Sequence, residues 1–288
     1  MFDGLATGTI LRGQPEADYH ARTDHVSATA LKAGLSKRHP AAVWEALHYG
    51  TSIHPTAALV GSAVHCALLE ADAFESRYVH VEAADRRRKE WKQGAAEAED
   101  AGLVPVITSD YDTIMRCVEA TRQHTDASSL LDSLTDTEMS CYAVDDSGVK
   151  VRARFDGYGA GTLVDVKTTS GGVDRTSFGK AAASYGYDLQ AAHYMHVARL
   201  CGLDVQSFRF IVIGKGEPSR VAVYHLSAED LQGGEMAREM VTADYARWLR
   251  RTEGLDRAML LAAEGYGGGV IHLPTWRRYQ IEEYQEMR

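Results

Sequence analysis

The chain has 288 residues, of which 45% are hydrophobic and 25% charged, the composition of an ordinary globular protein with enough length for a substantial core. Its 40 acidic and 31 basic side chains leave a net charge of −9, which excludes a protein that grips nucleic acid through its overall field. No basic-then-apolar leader opens the sequence and no apolar run approaches membrane-spanning length, so a cytoplasmic protein without membrane contact is expected.

Residues 1–26 are weakly periodic and read as an irregular lead-in. Ser27 is placed to cap a helix through Lys32 to Leu35, and Pro40 to start another with Val43, Trp44 and Leu47 on its apolar stripe. Ser36, Lys37, Arg38 and His39 lie between them at a junction suited either to a phosphate or to an ordinary solvated turn. Pro55 to Glu70 reads as a helix in which small Gly61, Ser62 and Ala63 permit close packing around His65. The run Asp85 to Lys92, which includes Arg87, is the most basic in the chain; it suits an arm along a DNA backbone as well as a solvated helix face. A helix is expected over Ser109 to Thr125 and a strand over Glu138 to Val144.

The informative stretch is Val149 to Thr169, VKVRARFDGYGAGTLVDVKTT. Val149, Val151, Ala153 and Phe155 alternate with Lys150, Arg152, Arg154 and Asp156, the period of a half-buried strand with one charged face. Gly157 to Gly161 supply a connection of hairpin length, and Thr162 to Thr169 form a second strand on which Leu163, Asp165 and Lys167 share a face. If the hairpin closes, Asp156 and Asp165 approach one another and can hold Mg²⁺, while Lys167 orients or deprotonates water or neutralises charge on a phosphate. A surface hairpin with scattered charges explains the same residues.

Further on, Asp174 to Leu200 has helical patterning, with Tyr187, Gln190, Tyr194 and Val197 on one face. Phe208 to Ile213 and Arg220 to Leu226 read as a hairpin, Ala228 to Arg251 as a long closing helix, and Gly265 to Gly269 as a link to a tail carrying Leu273, Pro274, Trp276 and Tyr279. Cys66, Cys117, Cys141 and Cys201 lack C-x-x-C spacing and read as free thiols.

The order GSAVHCALLE, RARFDGYGAGTLVDVKTT, YDLQAAHYMHV resembles the PD-(D/E)XK nuclease superfamily, and within it the RecE-like, exonuclease VIII-type branch. The resemblance implies an α/β fold, a central mixed β-sheet flanked by helices, with a nuclease domain over 27–264 and a tail over 265–288. It implies a metal site of His65, Asp156, Asp165 and Val166, with Mg²⁺ preferred and Mn²⁺ admitted by the imidazole. Lys167 becomes the motif lysine, Gln190 and Tyr194 the supporting Q-x-x-x-Y pair, and Glu138 an assisting acid. Arg152, Arg154, Ser36, Arg38 and Arg87 are the expected DNA contacts. The implied activity is 5′→3′ digestion of linear double-stranded DNA, leaving 3′ tails for a RecT-like annealing protein. A homotrimeric or homotetrameric ring with the basic residues turned inward is expected, because it reconciles an acidic chain with a polyanionic substrate. The alternatives are a RecB-like or restriction-like nuclease of other polarity, and a nuclease fold that binds DNA or a partner without cutting.

Overall fold

A computed structural model describes residues 8–50 and 55–264, with 275, 276, 279 and 283 beyond them. The chain divides into two units, Met1–Trp248 and Leu249–Arg288. In the first, β1 (Thr9–Leu11) and α1 (Glu16–His20) precede α2 (Ala28–Lys37), α3 (Ala41–Tyr49), α4 (Pro55–Leu69) and α5 (Ala71–Arg77). A parallel strand pair follows, β2 (Tyr78–Val81) and β3 (Val104–Ile107), with α6 (Lys89–Asp100) crossing between them. After α7 (Thr108–Gln123) and α8 (Thr125–Asp132) come β4 (Asp136–Val144), β5 (Lys150–Gly159) and β6 (Thr162–Thr169). The helices α9 (Arg175–Tyr185) and α10 (Tyr187–Leu200), the strands β7 (Ser207–Gly214) and β8 (Val221–Tyr224), and the helix α11 (Ala228–Arg251) as far as Trp248 complete it.

The main sheet has six strands in the order β1-β4-β5-β6-β7-β8. It is mixed: β6 runs parallel to β7, and every other neighbouring pair is antiparallel. Val164, Val166, Ile211 and Ile213 of the sheet are buried with Ala63, Val64 and Leu68 of α4, Ile114 and Cys117 of α7, and Leu131 of α8. The helix α10 packs on β4, β5 and β7 and against α2. This is the α/β architecture expected, a mixed sheet flanked by helices.

Local chemistry sets the boundaries that matter for the site. Ser27 caps α2 as expected, its Oγ accepting from the Ala30 amide at 3.3 Å, and the helix runs on through Ser36 and Lys37 to Arg38, whose φ of 52° ends it. Asp174 caps α9 by accepting from the Thr176 and Ser177 amides at 3.1 and 3.0 Å. The helical stretch expected over Asp174 to Leu200 breaks at Gly186, whose φ of 61° closes α9 and starts α10 in a new direction.

Three other expectations change. The β5–β6 connection is a two-residue turn, Ala160 and Gly161 at φ 47° and 73°, because the left-handed pair matches the strand twist and lets both strands run closer to the turn. Residues 9–11 of the expected lead-in form β1, pairing Ile10 with Cys141. The β2–β3 pair was not anticipated, its strands being too short for a clear period.

In the second unit, α12 (Arg257–Glu264) is capped by Asp256, which accepts from the Ala258 and Met259 amides at 3.0 and 3.1 Å. The Gly265 to Gly269 link and Leu273 and Pro274 of the tail lie outside the described residues; Trp276 and Tyr279 are exposed. The four cysteines are free, and all but half-buried Cys201 are buried. Among the described residues no helix is long and apolar enough to cross a membrane.

Candidate active site

The β5–β6 ladder pairs Gly159 with Thr162, Tyr158 with Leu163 and Gly157 with Val164, and goes no further. Beyond it the strands part, and the acids occupy the gap. The Val166 amide donates to Asp156 Oδ2 at 2.7 Å, so a side chain takes the place of a backbone acceptor. Across β5, Thr137 pairs with Gly157 and Met139 with Phe155, which puts Glu138 opposite Asp156. Glu138 has φ 49°, a left-handed conformation costing on the order of 1–3 kcal/mol in a non-glycine residue, and of the kind concentrated at functional sites.

His65 completes the group from α4, its Nδ1 3.5 Å from Asp156 Oδ2. Ligand atoms of His65, Glu138 and Asp156 all lie within 4.8 Å of one another. The carboxyls are crowded: burial first, then the Asp165 charge, pushes Asp156 up to about 7, and burial followed by the Asp156 charge raises Glu138. Burial and Lys167 lower His65, keeping its imidazole neutral and able to donate a lone pair. One imidazole nitrogen and two carboxylates that repel one another fit a divalent cation, which relieves the repulsion.

Asp165 lies beside this cluster with other partners. It is 2% exposed, its Oδ2 is 2.5 Å from Lys167 Nζ, and its Oδ1 accepts from Gln190 Nε2 at 2.7 Å. Burial opposes the charge on Lys167, but the Asp165 and Asp156 carboxylates overcome it and raise the ammonium above its usual range. Lys167 is therefore a fixed cation near neutral pH, which disfavours the proton-accepting role that the spacing also allowed. Gln190 in turn accepts from Lys32 Nζ at 2.8 Å, and both ammoniums lie over the Tyr187 ring, Lys167 at 4.9 Å and Lys32 at 5.3 Å from its centre. Tyr194, one turn on, sets its ring edge-on to Phe155 at 5.5 Å, and so braces β5 beside Asp156. Val166 is buried by its side chain, so its expected place in a metal site rests on its backbone alone.

The structure thus brings His65, Glu138, Asp156, Asp165, Lys167 and Gln190 together. Sequence reasoning held Glu138 as an assisting acid, whereas the structure groups it with His65 and Asp156. It missed Lys32, whose signal was a lysine set between Leu31 and Ala33 in a small-residue run of α2.

The expected DNA contacts fare unevenly. Arg152 is buried: its guanidinium donates to the Tyr19 carbonyl and lies 4.5 Å over the Tyr19 ring, so Arg152 presents nothing to a phosphate. Arg154 donates to Glu138 Oε2 at 2.8 Å and to the Gln14 carbonyl at 2.8 Å, which makes it a partner of the site's acid and not a channel residue. Ser36 and Arg38 are exposed at the end of α2. Arg87 is exposed and paired with Asp85 at 2.6 Å, while Arg86 pairs with Asp110 and lies over Trp91.

Among solved structures, the chain is similar to a protein named "Putative exonuclease" from Eubacterium rectale, at 15% identity and a TM-score of 0.57, over 93% of this chain and 98% of that one. A second, SSO0001, matches at 14% identity and a TM-score of 0.27, over 64% of this chain and 85% of that one. No protein of curated function matches. The first likeness supports the fold. A family model described as "PDDEXK-like domain of unknown function (DUF3799)" matches residues 27–254, most of the main unit and every site residue named above. The chain belongs to this PDDEXK-like family.

Proposed function

We propose that this protein is a divalent-metal-dependent deoxyribonuclease, and specifically a RecE-like exonuclease that digests linear duplex DNA from 5′ ends. The observation that carries the reading is the grouping of His65, Glu138 and Asp156 around one point, with the Asp165–Lys167 pair beside it. When bound there, Mg²⁺ or Mn²⁺ would polarise a phosphate oxygen and lower the pKa of water. His65, Glu138 and Asp156 would hold it, with the Val166 amide fixing one Asp156 oxygen. Asp165 holds Lys167 in place, and the Lys167 ammonium offsets negative charge building on the phosphate. A water oxygen bonds to phosphorus as the bond from phosphorus to the 3′-oxygen breaks, the water's proton passing to solvent and the 3′-oxygen leaving as a hydroxyl after taking a proton from solvent.

A closed ring, trimer or tetramer, and transfer of 3′ tails to a RecT-like annealing protein belong to the same reading. The support for the ring is the net charge of −9, which leaves a single chain little general attraction for DNA; the annealing partner rests on the RecE-like resemblance alone. With Arg152 and Arg154 engaged internally, the candidates for a channel lining narrow to the Arg86 to Lys89 run, Ser36 and Arg38.

The test is end-labelled linear duplex beside closed circular duplex, with 5′-phosphate and 5′-hydroxyl ends, in Mg²⁺ and in EDTA. Mononucleotide release from linear 5′ ends in Mg²⁺ alone supports the reading. Cleavage of circles, or release from 3′ ends, sinks the 5′→3′ exonuclease in favour of the other nuclease types. Binding without cleavage in Mg²⁺, and in Mn²⁺ put in its place, sinks the enzyme. His65→Ala is expected to raise the metal concentration needed for half-maximal activity by at least about tenfold, the effect of losing a metal ligand or its support.

A further inference from the structure

Gln190 stands between two groups of opposite hydrogen-bonding character. A lysine ammonium can only donate, and an ionised carboxylate can only accept. Lys32 Nζ meets Gln190 Oε1 at 2.8 Å, and Gln190 Nε2 meets Asp165 Oδ1 at 2.7 Å. Rotating the amide by 180° would set its oxygen against the carboxylate and its NH₂ against the ammonium, so both contacts would become repulsive. The orientation is thus determined by the neighbours.

Lys32 is well placed for this and poorly placed for much else. It rises from α2, which packs directly on α10, and it lies 5.3 Å over the Tyr187 ring, which also carries Lys167. Lys32 is itself half-buried, its ammonium turned to Gln190 and the Tyr187 ring and not out to water. The Lys32 and Lys167 ammoniums repel one another, and the contact each makes with the Tyr187 ring offsets part of that. The Lys32 bond to Gln190 uses the rest of the geometry.

We infer that Lys32 is a positioning residue: it locks the Gln190 amide so that its N–H holds Asp165 Oδ1, leaving Asp165 Oδ2 to anchor Lys167. The chain Lys32, Gln190, Asp165, Lys167 then fixes the cation of the site from a helix remote in sequence. This inference rests on the proposed nuclease reading for its kinetic consequence, but its structural content does not.

The experiment compares Lys32→Met, Gln190→Ala and the double variant. The structural readout is the side-chain amide of Gln190 in ¹⁵N spectra, assigned by its loss in Gln190→Ala. In the wild-type protein its hydrogen-bonded proton is expected to exchange slowly; in Lys32→Met exchange should quicken by at least about tenfold, as for a bond no longer locked. The kinetic readout is digestion of linear duplex. Both single variants are expected to lose at least about tenfold in kcat with KM for DNA changed by less than about twofold. The double variant should be no worse than about twofold below Gln190→Ala, because residues acting through one contact are not additive.

An unchanged Gln190 amide in folded Lys32→Met overturns the inference. So do losses that multiply in the double variant, or a raised KM with kcat intact, either of which would place Lys32 on the DNA directly. If Lys32→Met does not fold, Lys32→Gln, too short to reach the amide but still polar, carries the same comparison. A wild-type protein that cuts no DNA but whose Gln190 amide responds to Lys32 defeats the nuclease reading and leaves the positioning role standing.

Discussion

Asp156 and Val166 are joined by a hydrogen bond that replaces a rung of the β-ladder: the Val166 amide donates to Asp156 Oδ2 at 2.7 Å where the strands have separated. The carboxylate therefore serves the backbone and the site at once. Burial and the Asp165 charge push its pKa from 3.8 up to about 7, so the native state disfavours its ionised form. The stabilising part of that shift is present below pH 3.8 and lost as pH rises toward 7. Asp156→Asn keeps an acceptor for Val166 and removes the charge. In EDTA at pH 7.5 it is expected to gain stability on the order of 2 kcal/mol, read as a higher thermal midpoint, while DNA hydrolysis in Mg²⁺ disappears. A variant that is both inactive and less stable contradicts this account.

The Asp165–Lys167 pair behaves in the opposite sense. With Asp165 2% exposed, Lys167→Ala strands a buried carboxylate and is expected to cost about 3 kcal/mol in urea denaturation. The single variants are thus not neutral to folding, as a pair on a solvated strand face would be. Asp165→Asn with Lys167→Met removes both charges and should recover most of the loss, with digestion still absent. Equal stability of Lys167→Ala and the double variant would show that the pair is not coupled.

His193 acts against Asp156 in mild acid, taking stability away as pH falls. Its ring is buried, its Nε2 lies 2.9 Å from the Arg152 carbonyl, and burial, with Arg238, His196 and Lys32 nearby, pulls it from 6.5 down to about 3. Between those values the unfolded chain binds a proton that the native state refuses, so the stabilisation is intact above pH 6.5 and lost as pH drops. The His193 contribution to this fall is about 2 kcal/mol between pH 7.5 and pH 5, opposed over the same range by the gain from Asp156. His193→Gln should show a shallower fall over that range in urea midpoints, whatever its stability at pH 7.5; an equal slope would assign the acid loss elsewhere.

Gly234 sets how closely α11 approaches the start of α10. A Cβ there would lie 2.4 Å from the Asp188 carbonyl oxygen and 3.0 Å from the Leu189 amide, backbone atoms that cannot swing aside. Gly234→Ala is expected to cost about 2 kcal/mol and to move the helix that carries Gln190. Reduced activity with unaltered metal affinity would trace the effect to Gln190; full activity and stability would show that α10 tolerates the shift.

Local chemistry carried the legible part of the fold. The Ser27 cap, the strand over Glu138 to Val144, the Asp156 and Asp165 strands, the closing hairpin and the helix over Ala228 to Arg251 all announce themselves within a dozen residues. The His65 helix and the Gln190 helix did so too, because their motif spacing matches a known family. What stayed hidden depends on distant partners. Arg152 alternates with Val151 and Ala153 as on a solvated face, yet the Tyr19 carbonyl and ring, far off in sequence, close over it. The left-handed backbone of Glu138 within β4 cannot be inferred from a glutamate, since side-chain type disfavours it. Lys32 gave only the faint sign of a cation among small residues, and its meaning comes from Gln190.

The short strand β1 bears on how the protein can be cut for study. It forms the rim of the main sheet next to β4, pairing Thr9, Ile10 and Leu11 with Tyr142, Cys141 and Ser140. A fragment starting at Ser27 retains all of the family match and all of the site residues but strips that rim. The nine-residue β4 would then offer its own bare N–H and C=O groups to any strand that meets it. Such a fragment is expected to grow into open-ended, concentration-dependent aggregates in light scattering, while the chain that keeps residues 9–11 does not.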